Sequence, residues 1–435
     1  MAKAKELDRL SALPLEIKTS LLRRLPIEDA VRTSTLSHSW RHVWTHLSKL
    51  SFNFCYPDDT DLHQAWFEVF VYLISSLRGP VTDFDLCYYP NAYKSVDLIC
   101  FLSLIFQKGG LRKLSLDNYN YSCSALVQLP YFRSLRVLYL RHFDLLLPHD
   151  FQGFEHLEDL SLYGVCISQK DIQLLIDGSK NLKKFEGHVH SDDGNTLSLT
   201  FNSPLLTYVQ YYFSDSVKQV RVINAPLLEK AHVSARIGAT SSKEEFAFIA
   251  ALTSKFIADI ATVSDFSLGF QTLKCFFQDT VPCALRVQFL QLKALHLEGS
   301  VTCLDEKVFA TFCCLLRNMP VLESLEIECI DPPGALEDLI EPDGSKVNEC
   351  IKKEDGISCL ERNLRQLTIS VTSSMSIVAM GMIRFILLNA SVIELAEIIY
   401  RGDNEVEPSI VEELNLVEKV SPNVNVVFSS TSDWF

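Results

Sequence analysis

Three histidines, His38, His42 and His46, stand four residues apart. On an α-helix that spacing stacks three imidazoles on one face, an arrangement able to grip a zinc ion. No acidic or thiolate residue stands at suitable spacing beside them, so a solvated or interface face is the reading preferred and no metal is expected. The sequence has no G-x-x-x-x-G-K-[ST] phosphate loop, no G-x-S-x-G nucleophile turn and no H-E-x-x-H helix. Glu412 and Glu413 adjoin in an acidic stretch, not in a recognisable cleft. Cysteines lie mostly inside apolar runs such as "DLICFLS" and "ATFCCLL", with no C-x-x-C pair, and read as small core residues of a reducing compartment. No catalytic constellation survives, and neither enzyme activity nor a cofactor is expected.

What must be positioned, then, is surface for binding. The chain has 435 residues, 48% of them hydrophobic, with a formal net charge of -14. That acidity argues against nucleic acid as a partner. Residues 1–50 differ in sign, with nine Lys/Arg against five Asp/Glu, a local net of +4. A basic end on an acidic body points to an acidic partner for that end. The most apolar run, "AMGMIRFILLNASVIELAEII", is interrupted by Arg384 and Glu394, so no membrane span is expected.

The body repeats. L-x-x-L-x-L occurs as "LRKLSL" at 111, "LRVLYL" at 135 and "LEDLSL" at 157, followed by the weaker "LKKFEG" at 182, "LTYVQY" at 206 and "LEKAHV" at 228. The intervals are 24, 22, 25, 24 and 22 residues, the period of leucine-rich repeats. "LKALHL" at 292, "LESLEI" at 322 and "LRQLTI" at 364 are farther apart, and "VTDFDL" at 81 is an earlier cryptic copy. Each copy predicts a short strand whose leucines face inward and whose face is buried only by stacking on neighbours. Helical spacing over 61–77 and 243–261 predicts helices packed against those strands; in the second, Phe246, Ile249, Ala250, Phe256, Ile257 and Ile260 could form one face. The stretch 331–356 is rich in Pro, Gly and charge and reads as a flexible acidic insertion.

The N-terminal segment predicts three short helices. Pro14 suits a first helical position, with Ile17, Leu21, Leu22 and Leu25 following at spacings of three and four. Pro26 ends that helix, and "IEDAVRTSTL" forms a second, with Glu28 and Asp29 in its first turn. Ser37 could cap a third in which Trp40, Val43, Trp44 and Leu47 share a face. About forty residues cannot bury all these groups alone, so the surplus docks on the repeats, on another protein, or on both.

"DRLSALPLEI" followed by "LLRRLPIEDAVRTSTLSHSWRHVW" resembles an F-box, in the form found in the plant family of F-box proteins with leucine-rich repeats. Leu-Pro, "LP", "DAVRTS", "LS" and "WR..W" fall in the family's order; Glu28 departs from the Lys or Arg common before "DAVRTS". "GLRKLSL", "LPHDFQGFEHLEDLSLYGVCIS" and "INAPLLEKAHV" are similar to the family's repeats, and "CLERNLRQLTI" with "MIRFILLNASVIELAEIIY" to its closing FBD module, with Ser391 a mild departure. The resemblance implies an α/β chain: an F-box over 1–50, then a leucine-rich-repeat solenoid over 51–355 with helices on the convex side of a curved parallel sheet. An FBD module with the last repeats would close it over 356–435.

It further implies a non-catalytic substrate-recognition subunit of a Skp–cullin–F-box ubiquitin ligase, in the nucleus or cytoplasm. A Skp-type adaptor would dock on the F-box and lead to a cullin and a RING subunit. The residues expected at that contact are Leu13, Pro14, Ile17, Leu22, Pro26, Val31, Trp40 and Trp44, with packing against the first repeats an open alternative for the tryptophans. An unidentified protein target would meet the concave face, where alternate residues point outward: Lys113, Tyr139, Arg141, Tyr163, Lys184, His188, Tyr208 and Tyr212 are the candidates. A receptor whose repeats also bind a small ligand, and a repeat scaffold outside any ligase, remain alternatives.

Overall fold

The structure is a computed structural model that describes residues 9–54, 60–88, 95–119, 125–235, 242–276, 287–300, 306–330, 356–371, 377–401, 412, 416–417 and 419–431. The insertion expected over 331–356 lies outside the described residues apart from Gly356. By compactness the chain divides into two units, residues 1–205 and 206–435.

The first unit opens with α1 (Leu15–Leu22) and α2 (Ile27–Arg32). Pro14 and Pro26 hold the N-cap positions, with ψ of 154° and 148°. Each Leu-Pro pair therefore starts a helix from outside, and Pro14 stands one place earlier than the sequence suggests. The third α-helix does not form. After α2 the chain makes a 3₁₀ turn at Thr33–Thr35, then turns, then a second 3₁₀ segment at Val43–His46. Ser37, expected as its cap, instead bonds through its hydroxyl to Ser11 at 2.8 Å and Ser39 at 2.9 Å. Thr33, Thr35 and Thr45 donate to carbonyls three residues back. Hydroxyls so placed compete with helical hydrogen bonding.

Then follow β1 (Lys49–Phe54), α3 (Thr60–Ser76), β2 (Asp83–Tyr88), α4 (Ser95–Lys108), β3 (Lys113–Asn118), β4 (Ala125–Gln128), β5 (Val137–Arg141), β6 (Phe143–Leu146), β7 (Asp159–Cys166), α5 (Gln169–Asp177), β8 (Lys184–His190) and β9 (Leu197–Asn202). Strands β1, β2, β3, β5, β7 and β8 lie side by side in that order, all parallel. Their in-register rows put Leu114, Leu138, Leu160 and Phe185 in one buried line and Leu116, Leu140 and Leu162 in the next. Period-2 alternation leaves the intervening residues half-exposed on the other face.

The second unit holds β10 (Tyr208–Phe213), β11 (Val217–Ile223), β12 (Lys230–Ala235), α6 (Lys243–Asp259), β13 (Asp265–Gly269), α7 (Phe270–Cys275), β14 (Ala294–Ser300), α8 (Glu306–Arg317), β15 (Ser324–Ile330), α9 (Ser358–Arg362), β16 (Gln366–Val371), α10 (Ile377–Asn389), β17 (Leu395–Arg401) and β18 (Asn425–Thr431). From β10 and β12 through β18 the ladder is again parallel. The region expected as an FBD module thus continues the strand–helix repeat. Helix α6 begins in a capping box between Ser242 and Glu245. Its buried face is Ile249, Leu252, Phe256, Ile257 and Ile260 beyond the helix end; Leu252 joins, while Phe246 and Ala250 are only half-buried. At its C-terminus Asp259 accepts from Arg221 Nη2 and the Val222 amide, both at 3.0 Å, fastening β11 to the helix.

Candidate functional site

Helix α1 sorts its residues into two i, i+4 stripes. Lys18 and Leu22 point inward and are buried; Ile17 and Leu21 point outward, Ile17 48% exposed. Leu10, Leu15, Leu25 and Leu36 are exposed as well, Leu36 at 68%. Pro14, Pro26, Arg23 and Arg24 are exposed with them. Large apolar groups gathered on so short a segment mark a contact surface. Its inner side is closed by Leu22, Ile27, Ala30, Trp40, Val43, Trp44 and Leu47.

Of the residues expected to meet an adaptor, Pro14, Ile17 and Pro26 are exposed, Leu13 and Val31 half-buried, and Leu22, Trp40 and Trp44 inside, each tryptophan only 5% exposed. The tryptophans hold the segment together. Leu15, Leu21 and Leu36, which were not among the residues expected at that contact, are exposed too. The sequence signal pointed the other way: a lysine on one stripe of α1 would ordinarily mark that stripe as the wet one, yet Lys18 lies on the dry one. His38 and His42 are exposed and His46 half-buried. With no α-helix beneath them, the four-residue spacing does not align their rings. Among the described residues no group of three or more His, Cys, Asp or Glu is placed to hold a metal ion.

The second surface is the open face of the first unit's sheet. Its rows run Asp83, Lys113, Val137, Asp159, Lys184; then Asp85, Ser115, Tyr139, Ser161, Glu186; then Cys87, Asp117, Arg141, Tyr163, His188. Lys113 pairs with Asp85 and Lys184 with Glu186, each at 2.8 Å, and Arg141 with Asp117 at 3.4 Å. The Tyr139 and Tyr163 rings lie 5.8 Å apart, and the Arg141 guanidinium stands 6.0 and 5.9 Å from their centres. Tyr163 also donates to Glu186 at 3.0 Å. A cavity of about 510 Å3 spans this face from Ser51 to Lys184. Burial pushes the Asp117 and Asp159 carboxyls upward, opposed at Asp117 by Arg141 and at Asp159 by Lys184. His188, expected to face a target, is 2% exposed and shut away from solvent.

In the second unit Tyr208 donates to Gln210 at 2.7 Å and Gln210 donates to the Tyr212 hydroxyl. The Tyr212 ring lies 5.7 Å from that of His232. Farther along, His232 stands 3.2 Å from Glu298, and His296 is 3.8 Å from both Glu326 and Glu328. Burial raises the Glu298 carboxyl, against the pull of His296. Of the expected target-facing residues, Lys113, Tyr139, Arg141, Tyr163, Lys184 and His188 belong to the first unit and Tyr208 and Tyr212 to the second.

Residues 10–52 match the F-box domain family, and residues 102–327 match the family described as FBD-associated F-box protein At5g56370, LRR repeats. Among Arabidopsis thaliana proteins, the F-box/FBD/LRR-repeat protein At1g13570 is 29% identical over 52% of this chain and 54% of its own length. The F-box/FBD/LRR-repeat protein At2g04230 is 33% identical over 31% of this chain and 32% of its own. Under two thirds of either relative is spanned. The F-box/FBD/LRR-repeat protein At3g14710 is 25% identical, over 97% of this chain and 94% of its own length. Apolar helices built outward at the start, parallel strands of leucine-rich period and these matches agree: the chain belongs to the plant F-box/FBD/leucine-rich-repeat family.

Proposed function

We propose that this chain is the non-catalytic substrate-recognition subunit of a Skp–cullin–F-box ubiquitin ligase, acting in the nucleus or cytoplasm. The exposed Ile17 and Leu21 of α1, together with Pro14 and Leu36, dock on a Skp-type adaptor, which joins the chain to a cullin and a RING subunit. The open faces of the repeats hold a protein target. The observation that carries this reading is the outward apolar stripe on α1, exposed while both tryptophans are already buried. Helix faces of this kind are completed by a partner's groove.

Charging that stripe separates docking from folding. Ile17→Asp with Leu21→Asp removes apolar contact from residues that the chain's own core does not use. Co-purification of a Skp-type adaptor is expected to fall at least about tenfold, since two apolar contacts of roughly 1–2 kcal/mol each are lost. The melting temperature should hold. Undiminished adaptor capture by this variant defeats the reading.

A further inference from the structure

The strand that ends the second unit's ladder is unfinished. Among the described residues β18 is paired on one side only, with β17. Its first residue shows which side of the backbone is left open, because the Asn425 amide donates to the Glu394 carbonyl just before β17. Successive amides of a strand point to opposite sides, so those of Val426, Phe428 and Ser430 point away from β17. The side chains of Val426 and Phe428 continue the inward rows of Ala396 and Ile398, each only 1% exposed. Val426 and Phe428 themselves are half-buried. At β1, which ends the first unit's ladder, α2 packs against the strand and the inward Leu50 and Phe52 are buried. Nor is β18 guarded: "NVVFSST" has no charge and no proline, the usual protections of a free edge.

We infer that β18 is a docking edge for an extended segment of a partner protein, which lies along it as one further strand of the ladder. That strand runs about 4.8 Å beyond β18. It meets the amides and carbonyls of Val426, Phe428 and Ser430, the mode of recognition by strand addition. Its apolar residues stand two apart, so that they cover Val426 and Phe428 as β18 covers Ala396 and Ile398. Main-chain bonding supplies the hold, and the two inward side chains supply the selection. The chain's net charge of -14 favours a segment without acidic residues. The same charge sets two copies of this chain against each other, which argues against β18 pairing with a second β18. The edge is a different surface from α1 and from the open faces of the repeats, so the inference goes beyond the ligase reading.

The test uses the full chain and the fluorescein-labelled peptide Lys-Thr-Val-Thr-Ile-Thr-Val-Thr-Lys. Fluorescence anisotropy should show saturable binding. A peptide of the same composition with its three apolar residues consecutive should bind about tenfold more weakly or worse, because it cannot turn them all to one face. Val426→Pro removes an amide that β17 does not use, and its ring blocks the approach of a further strand. The melting temperature should therefore hold while binding falls about tenfold or more. If that variant does not fold, Val426→Lys carries the test, since a charge on a free edge opposes pairing. Equal binding by the folded variant, or equal binding of the consecutive peptide, overturns the inference. Hydrogen exchange on the parent chain reads the same edge directly. Saturating peptide should slow exchange of the Phe428 amide and leave the amides of α1 unchanged, and an unchanged rate at Phe428 also overturns the inference. Light scattering that shows a dimer of the free chain, lost in Val426→Pro, would assign the edge to a second copy and overturn it as well. Adaptor co-purification should be the same for Val426→Pro and the parent, so this inference and the ligase reading can fail separately.

Discussion

The Lys18 ammonium stands 5.3 Å from the centre of the Trp40 ring and donates to the Ser11 carbonyl at 2.8 Å. It joins the turn before α1, the helix itself and the turn carrying Trp40, although its residue is only 5% exposed. A buried cation held by a carbonyl and a ring serves to fix geometry, because its desolvation offsets much of what those contacts contribute. Around this point the inner and outer stripes of α1 are assigned.

Lys18→Met tests that role. Methionine keeps the length and apolar stem of the side chain but leaves the Ser11 carbonyl without its donor. The expected loss is about 1–2 kcal/mol of stability in the N-terminal segment, the usual penalty for an orphaned acceptor. Hydrogen exchange of the amides of α1 should quicken, while those of β5 and β7 in the sheet should not change. Exchange that is unaltered in α1 would show that packing of Trp40 and Trp44 suffices.

Asp159 makes the stability of the first unit depend on acidity. Its carboxyl is raised above the usual value of 3.8, chiefly by burial. The folded state therefore binds the proton more readily than the unfolded chain does. The stabilisation this gives is fully present below that usual value and is lost as pH rises through the folded value. At neutral pH Asp159→Asn should melt at a higher temperature than the parent. Near pH 3 the gap should close.

The strands were legible wherever leucine itself repeats, because Leu at both inward positions fills a parallel layer and leaves a plain pattern. Strand β13 escaped notice because its inward residues are Phe266 and Leu268, preceded by Val263, apolar but without the repeated leucines. Ile393, Ala396 and Ile398 around β17 hid in the same way. The N-terminal segment was legible as a contact module but not as a structure. Trp40, Val43, Trp44 and Leu47 have helical spacing, yet the serines and threonines around them bond locally and turn the chain into 3₁₀ pieces. On α1, two stripes of equal period compete, and only the packing of Lys18 over Trp40 decides which is inside. The ion-pair pattern on the open face depends on lateral neighbours in other repeats, which no single repeat encodes.

The weak copy "LKKFEG" has a physical cause that yields the last prediction. Its final inward position is Gly187, where the stronger copies carry leucine. Gly187 has φ of +133°, and a Cβ added there would lie 1.7 Å from the Leu162 carbonyl oxygen on β7. Just beyond, the β7–β8 register shifts between Tyr163 and Val165, around Gly164 with φ of +62°. The ladder approaches too closely at this point for any side chain, so the pattern must break here for the strands to pair. Gly187→Ala combines forbidden backbone with a clash against backbone that cannot rotate away, and should destabilise the first unit by more than about 3 kcal/mol. Gly194 is the matching control: its φ is +74° but nothing lies within 4 Å of an added Cβ. Gly194→Ala should lose only about 1 kcal/mol, from backbone preference alone. Thermal melts of the two variants should therefore separate widely, and melts that coincide would show that β8 can shift away from β7 at little expense.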